Sequence, residues 1–290
     1  MKNLLQKQQI LSVDLLGLSL TQRCNALCPQ CQCGDAQDFD MPKEVMERVF
    51  DEVKAVSDFV LKGGELMLAP EKLEELYQVL VDKNVIVERF SIATNGTLYD
   101  EKYFAALEKL RDYSDTKDRP MFVSFDKFHR DEGKRLLGTK KYEENIVRLS
   151  SHSLFGDFQL DCDVWALSDG RAKNLADKDI TIFDSCREIQ SLYLRGPNFS
   201  RVSRLIIGAH GDITNEMEYK LQQKNSFGNI LRGDKINNAL LRSPTVIKCQ
   251  TADEWNKYTE KHNTEVSLMK IFASAKRIGI KEDKIWDVFK

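Results

Sequence analysis

Four of the chain's seven cysteines fall within ten residues, in "TQRCNALCPQCQCG" at 21–34, and the first three are spaced C-x3-C-x2-C. Thiolates two or three residues apart on a loop can converge on one metal centre, and soft sulfur selects zinc or iron–sulfur. A zinc site would recruit Cys33 as its fourth ligand. Cys31 and Cys33 are only one residue apart, however, an awkward reach for a tetrahedron already holding Cys24 and Cys28. Three cysteines on a [4Fe-4S] cluster would instead leave one iron open for a substrate or cofactor. Cys162, Cys186 and Cys249 are scattered, and an odd total in a chain large enough to bury a core unaided makes a poor disulfide framework.

Further short motifs follow in order. "KGGE" (62–65) offers Gly63 and Gly64, which permit close backbone approach, although a glycine pair is also an ordinary turn. "ATNG" (93–96), "VSFDKFH" (123–129) and "SDGRAKN" (168–174) each sit at or after a β-rich run. His129 is either a substrate contact or an ordinary surface histidine, and Lys62 either attracts a carboxylate or is simply solvated.

The elements that must position these residues alternate. "LLGLSLT" (15–21) reads as a strand, and a helix beginning near Pro42 carries Val45, Met46, Val49, Phe50, Val53 and Val56 at helical spacing. "DFVLKGGE" (58–65) reads as strand and loop, and "PEKLEELYQVLVDK" (70–83) as a helix with Leu73, Leu76, Tyr77 and Leu80 on one face. The alternation continues through 87–96, 101–113, 121–126, 140–152 and 158–167. Repeated strand–helix units predict a parallel sheet, open or closed. Along these strands one side carries Ser19, Thr21, Ser91, Asn95, Ser124, Asp126, Gln159, Asp161 and Asp163, whereas the other is apolar. A fully packed barrel favours apolar residues on both faces, so a concave sheet around a wet cavity is expected.

Beyond about residue 170 the pattern weakens. Residues 200–213 read as strand and turn, 233–243 as a short helix capped by Asp234, and 251–280 as a long helix opened by a Thr251/Glu254 capping box. Cys162 falls on the apolar side of its strand, which suits a buried thiol.

Taken together, the cysteine loop and the four motifs resemble the radical SAM superfamily. Cys24, Cys28 and Cys31 match the three cysteines that hold a [4Fe-4S] cluster there, whose open iron binds S-adenosyl-L-methionine (SAM). The resemblance implies a partial (β/α)6 TIM-like barrel over 13–215 with a mainly helical C-terminal extension over 216–290. It also implies SAM contacts from Gly63, Gly64, Glu65, Thr94, Asn95, Ser124 and Asp126, with Arg171 assigned to the SAM carboxylate or ribose. Two departures stand out: Gln30 replaces the common aromatic before the third cysteine, and Leu66 replaces the Pro that often follows GGE.

The same resemblance implies reductive cleavage of SAM to a 5′-deoxyadenosyl radical, fed by a flavodoxin- or ferredoxin-type donor. Residues 205–232 echo the "G-x-I" turn and later "GNI" of radical SAM peptide maturases, without adjacent cysteines, so one cluster and a polar or peptide substrate are expected. Epimerisation would need a hydrogen-atom donor, for which Cys186 and Cys249 are candidates. Cys33 is a spare thiol, an alternative ligand or a redox thiol. The alternatives are an activase that installs a glycyl radical on a partner protein, and a non-catalytic zinc-stabilised binding module.

Lys and Arg number 43 against 45 Asp and Glu, a net charge of −2, which gives no sign of a nucleic-acid or membrane partner. No run approaches the length of a membrane span and no signal-peptide cleavage site follows the N-terminus, so a cytoplasmic protein is expected.

Overall fold

The computed structural model describes residues 10–159, 165–167, 170–175, 181–183, 191–196 and 199–261. The chain opens with β1 (Ile10–Ser19), α1 (Lys43–Glu52), β2 (Val53–Lys62), α2 (Pro70–Asp82), β3 (Ile86–Thr94), α3 (Glu101–Tyr113) and β4 (Met121–Ser124). Two consecutive helices, α4 (Lys127–Leu137) and α5 (Thr139–Ser150), then lead to β5 (Phe155–Gln159). Strands β1 to β5 are parallel and lie side by side in chain order, the arrangement that helical crossovers impose.

Local sequence explains most boundaries. Pro70 starts α2, whose Leu73, Leu76, Val79 and Leu80 are buried against the sheet. Asp100 caps α3 by accepting the Tyr103 N–H at 2.8 Å. Each fully buried leucine contributes on the order of 2 kcal/mol.

Three expectations need correction. The helix begun near Pro42 stops at Glu52, and Val53 and Val56 belong to β2, paired with Leu11 and Val13 of β1. Apolar β-branched residues serve either period, and sheet pairing decides between them. Helix α4 is absent from the sequence reading because its core contacts are few; Asp126 caps it, accepting the N–H groups of Phe128 (2.9 Å) and His129 (3.1 Å). Asp234 does not cap the helix that follows it, α7, for a reason given below.

Downstream, β6 (Trp165–Leu167) and β7 (Thr181–Phe183) form their own parallel pair, apart from β5. Next come β8 (Ser191–Arg195), β9 (Phe199–Ile207), β10 (Asp212–Thr214), α6 (Tyr219–Lys224), β11 (Gly228–Asn229), α7 (Ile236–Arg242), β12 (Val246–Cys249) and α8 (Ala252–Lys261). Strand β9 pairs in parallel with the outer edge of β1 and carries β8 and β10 as antiparallel neighbours; β12 adds to β8 and β11 to β10. The stretch after residue 215, expected to be mainly helical, therefore also contributes two strands to the main sheet.

The first N–H groups of α7, Ile236 and Asn237, donate to the Glu52 carboxylate of α1 at 3.0 and 3.4 Å, so the cap comes from a distant element. Asp234 is occupied elsewhere, with the Asn229 N–H and Arg242. Thr251 does cap α8, accepting the Glu254 N–H at 3.2 Å, while Glu254 reaches back to the Gln250 N–H. Residues 262–280 of the expected long helix lie outside the described residues.

One continuous core fills the space between sheet and helices, from Leu11 and Val13 of β1 to Leu240 of α7. A smaller cluster of Leu192, Leu194, Phe199, Cys249 and Trp255 lies under α8. No helix among the described residues is long and apolar enough to cross a membrane.

Candidate active site

The polar face expected on the strands borders a cavity of about 560 Å³ along β3, β4 and β5, whereas Ser19 and Thr21 of the same expected face are buried and do not line it. Ser91, Ala93, Asn95, Phe122, Ser124 and Gln159 line it from β3, β4, β5 and the loop after β3. Their strand neighbours Phe90, Met121 and Val123 are buried on the opposite, core side. Asp161 and Asp163, expected on the same wall, lie outside the described residues.

Cys24, Cys28 and Cys31 line one end of this cavity, and Cys33 lines it as well. Their loop is tied down at several points. Leu20 N–H donates to Lys62 O (2.9 Å), Gly64 N–H to Thr21 O (3.1 Å) and Glu65 N–H to Arg23 O (2.8 Å), a ladder that holds the loop against the end of β2. Gly64 is required there, because a Cβ would lie 2.1 Å from Arg23 O and 2.7 Å from Cys24 Cβ. Farther along, Cys31 O accepts the Arg171 N–H at 2.8 Å and Cys33 O the Tyr219 N–H at 3.0 Å. Gly170, at φ +53°, packs its Cα where a Cβ would come within 2.4 Å of Cys31 O.

Glu65 differs from its expected role. It is fully buried, does not line the cavity, and accepts hydrogen bonds from Met67 N–H (3.1 Å), Asn95 N–H (2.8 Å) and the Thr94 hydroxyl (3.0 Å). Gly63, Gly64, Thr94, Asn95, Ser124, Asp126 and Arg171 all line the cavity, so Glu65 positions the residues that do.

Asp126 is bound on several sides. Besides the α4 N–H groups it meets His129 Nδ1 at 2.5 Å and Gln30 Nε2 at 3.2 Å. Burial works against its charge, but the bonds to His129 and the helix N–H groups hold its carboxyl below the ordinary range. Gln30, which replaces the usual aromatic, and His129 therefore belong to one polar cluster on the cavity wall.

The thiols differ in their surroundings. Burial pushes Cys24 up to about 11 and Cys28 still higher, where the neighbouring thiols add to the effect. Cys31 is drawn down, first by a hydrogen bond from the Cys33 thiol and then by the Arg171 guanidinium. Among the described residues no group of three or more His, Cys, Asp or Glu side chains could hold a lone metal ion; the three thiols border a space instead. Three further cavity atoms, Gln22 Oε1, Gln30 Oε1 and Arg171 Nε, are buried without hydrogen-bond partners. Buried thiols that need a compensating positive charge, beside orphaned polar atoms, fit an iron–sulfur cluster with a polar ligand next to it.

The family model of the radical SAM superfamily matches residues 18–150, the span from the end of β1 through the cysteine loop to α5. The chain carries a radical SAM domain over residues 18–150. It is accordingly an enzyme, and the family implies SAM and an iron–sulfur cluster. No curated protein matches the chain. Solved structures that match the chain include native anSMEcpe with bound AdoMet and Cp18Cys peptide (16% identity, TM-score 0.48, covering 89% of this chain and 85% of that one). Another is Streptococcus suis SuiB bound to precursor peptide SuiA (12% identity, TM-score 0.38, covering 80% and 65%).

The cavity also draws on residues that local sequence patterns did not reveal. Met217 and Tyr219 line the cavity from beyond the expected domain boundary at 215/216. Nothing near them in sequence signals this; the sheet's return through β9 and β10 brings them in. Lys62 lines the cavity beside the glycines. Cys249 is buried in the cluster under α8 and does not line the cavity, so it is not placed to donate hydrogen there. Cys162 and Cys186 lie outside the described residues.

Proposed function

We propose that this radical SAM enzyme holds a [4Fe-4S] cluster on Cys24, Cys28 and Cys31 and modifies a peptide by epimerisation or crosslinking. The observation that carries the proposal is the convergence of the three cysteines with Gly63, Gly64, Thr94, Asn95, Ser124, Asp126 and Arg171 on one cavity. When bound, the reduced cluster and SAM supply a 5′-deoxyadenosyl radical that can take hydrogen from an unreactive C–H bond. An electron donor of flavodoxin or ferredoxin type completes the system.

The chain's own residues bind and orient. Gly64 exposes backbone at the cavity rim where a side chain could not fit, which suits a close-bound amino group. Asp126, kept ionised by His129, offers an acceptor to hydroxyl donors, and Arg171 and Lys62 offer positive charge to carboxylates. The catalytic unit proposed is 13–215, completed by Met217 and Tyr219 from the 216–290 extension.

The peptide reading rests on the "G-x-I" and "GNI" echo. Its two parts form one structural unit: Ile230 N–H donates to Gly211 O at 2.8 Å, and Asn229 Nδ2 to His210 O at 2.9 Å. Anaerobic incubation with SAM, dithionite and the product of any short open reading frame that neighbours the gene, followed by mass spectrometry, tests it. Loss of two hydrogens, or deuterium uptake from heavy water, alongside 5′-deoxyadenosine supports the reading. A radical left on the backbone of a large partner protein, with the peptide unchanged, would replace it with the activase.

A further inference from the structure

A second, smaller cavity of about 190 Å³ borders the cysteine loop. Among the described residues, Cys33, Gly34, Arg171 and Tyr219 line both it and the main cavity, so the two chambers share a wall. Asp35, Lys173, Glu218 and Lys220 line the smaller chamber alone. The shared wall is fixed from the loop side, where Cys31 O accepts the Arg171 N–H and Cys33 O the Tyr219 N–H.

Both signs of charge face this chamber with incomplete partners. Glu218 is 6% exposed; its carboxylate accepts the Gly170 N–H at 3.1 Å and meets Lys173 Nζ only at 3.4 Å. A buried carboxylate compensated so loosely favours a further cation. Arg171 brings a guanidinium whose Nε is buried with no hydrogen-bond partner. Lys173 is half-exposed, and the Lys220–Asp35 pair at 3.3 Å lies in solvent, so both lysines exchange partners at little cost. The chamber thus suits a molecule with an ammonium for Glu218 and a carboxylate for Arg171. Its volume lies below the ~300 Å³ at which drug-sized sites begin, which fits a single amino acid and is too small for SAM. A peptide carries its two terminal charges at opposite ends and does not match.

We propose that this chamber receives the methionine released when SAM is cleaved in the main cavity, with its ammonium on Glu218 and its carboxylate on Arg171. The proposal rests on the SAM-cleavage reading above. Arg171 borders both chambers, and a guanidinium offers donors on more than one edge, so a carboxylate can keep this partner while the amino acid crosses the shared wall. Tyr219 and Cys33 on that wall give the thioether an aromatic and polarisable surface. No bond forms or breaks in the chamber; its effect is to clear the main cavity for the next SAM.

The test uses the full chain reconstituted with iron and sulfide, with radiolabelled L-methionine as probe. Equilibrium dialysis with the cluster oxidised, so that saturating SAM fills the main cavity uncleaved, should show one methionine bound per chain. Glu218→Gln keeps an oxygen for the Gly170 N–H; it should weaken methionine about tenfold or more and leave iron content and SAM affinity within about twofold of wild type. On the wild type, N-acetylmethionine, which lacks the ammonium, should bind about tenfold or more weakly than methionine. Free methionine should also slow 5′-deoxyadenosine formation by the dithionite-reduced protein in a way that added SAM does not relieve, and Glu218→Gln should lose this inhibition. N-acetylmethionine binding as tightly as methionine, methionine displaced by SAM, or methionine bound without inhibition would each overturn the proposal. A chain that takes up no iron or forms no 5′-deoxyadenosine would defeat the SAM-cleavage reading itself; one that forms it and binds no methionine would defeat this proposal alone.

Discussion

The carboxylate of Glu65 accepts the backbone N–H of Asn95 at 2.8 Å, so the turn that ends β2 and the turn that ends β3 are joined into one unit. The Thr94 hydroxyl and Met67 N–H complete the carboxylate's shell. Replacing Glu65 with Ala leaves these buried donors unpaired, at a cost of about 3 kcal/mol. Glu65→Ala should lower the urea midpoint and weaken SAM binding together, as read by chemical denaturation and isothermal titration. Unchanged SAM affinity would show that the junction does not position the ligand site.

Gly64 makes a sharper test of the rim. An Ala Cβ there would sit 2.1 Å from Arg23 O, and the backbone has no flexible side chain to yield. Gly64→Ala should disrupt the cysteine loop and at least halve iron uptake on reconstitution. Gly138→Ala, where a Cβ has open space but φ is +79°, strains the backbone outside the site and so controls for a general loss of stability: it should leave iron uptake intact.

Cys33 should prove dispensable for the cluster. Its sulfur lies 4.0 Å from Gly63 O and donates to the Cys31 thiol, which places it as a neighbour of a proposed ligand. Cys33→Ala should keep the iron content of the wild type, whereas Cys31→Ala should lose most of it. Iron analysis after anaerobic reconstitution decides the matter, and equal losses in both variants would make Cys33 a ligand.

Much of the core was legible because parallel strand–helix units leave periodic signals: α3 spans 101–113 as its pattern implied, and the polar residues of β3 and β4 fall on the cavity side. The failures have one physical source, namely long-range partners. Val53 and Val56 join a strand because β1 lies beside them, Glu52 caps α7 across the fold, and Tyr219 reaches the cavity only through the β9–β10 return. Glu65 was recognised as part of the site from its motif. Its role under the wall, and not on it, could emerge only from the fold.

The Asp14–Arg201 pair is buried between β1 and β9, with the guanidinium over the Trp255 ring at 4.5 Å. Burial outweighs their attraction and raises Asp14 to about 6 from the usual value near 3.8. The folded state then holds a proton that the unfolded chain releases. Stability from this group is full below pH 4 and is lost as pH rises through 6, a change of about 3 kcal/mol. Urea titrations between pH 4 and 7 should show that decline, and Asp14→Asn should flatten it.

The central claim is that Cys24, Cys28 and Cys31 hold a cluster that cleaves SAM. The most direct measurement is 5′-deoxyadenosine formed from SAM by the anaerobically reconstituted, dithionite-reduced protein. Formation by the wild type, and its loss in each of Cys24→Ala, Cys28→Ala and Cys31→Ala, is the predicted result. A wild type that makes none, or alanine variants that make as much, would contradict it.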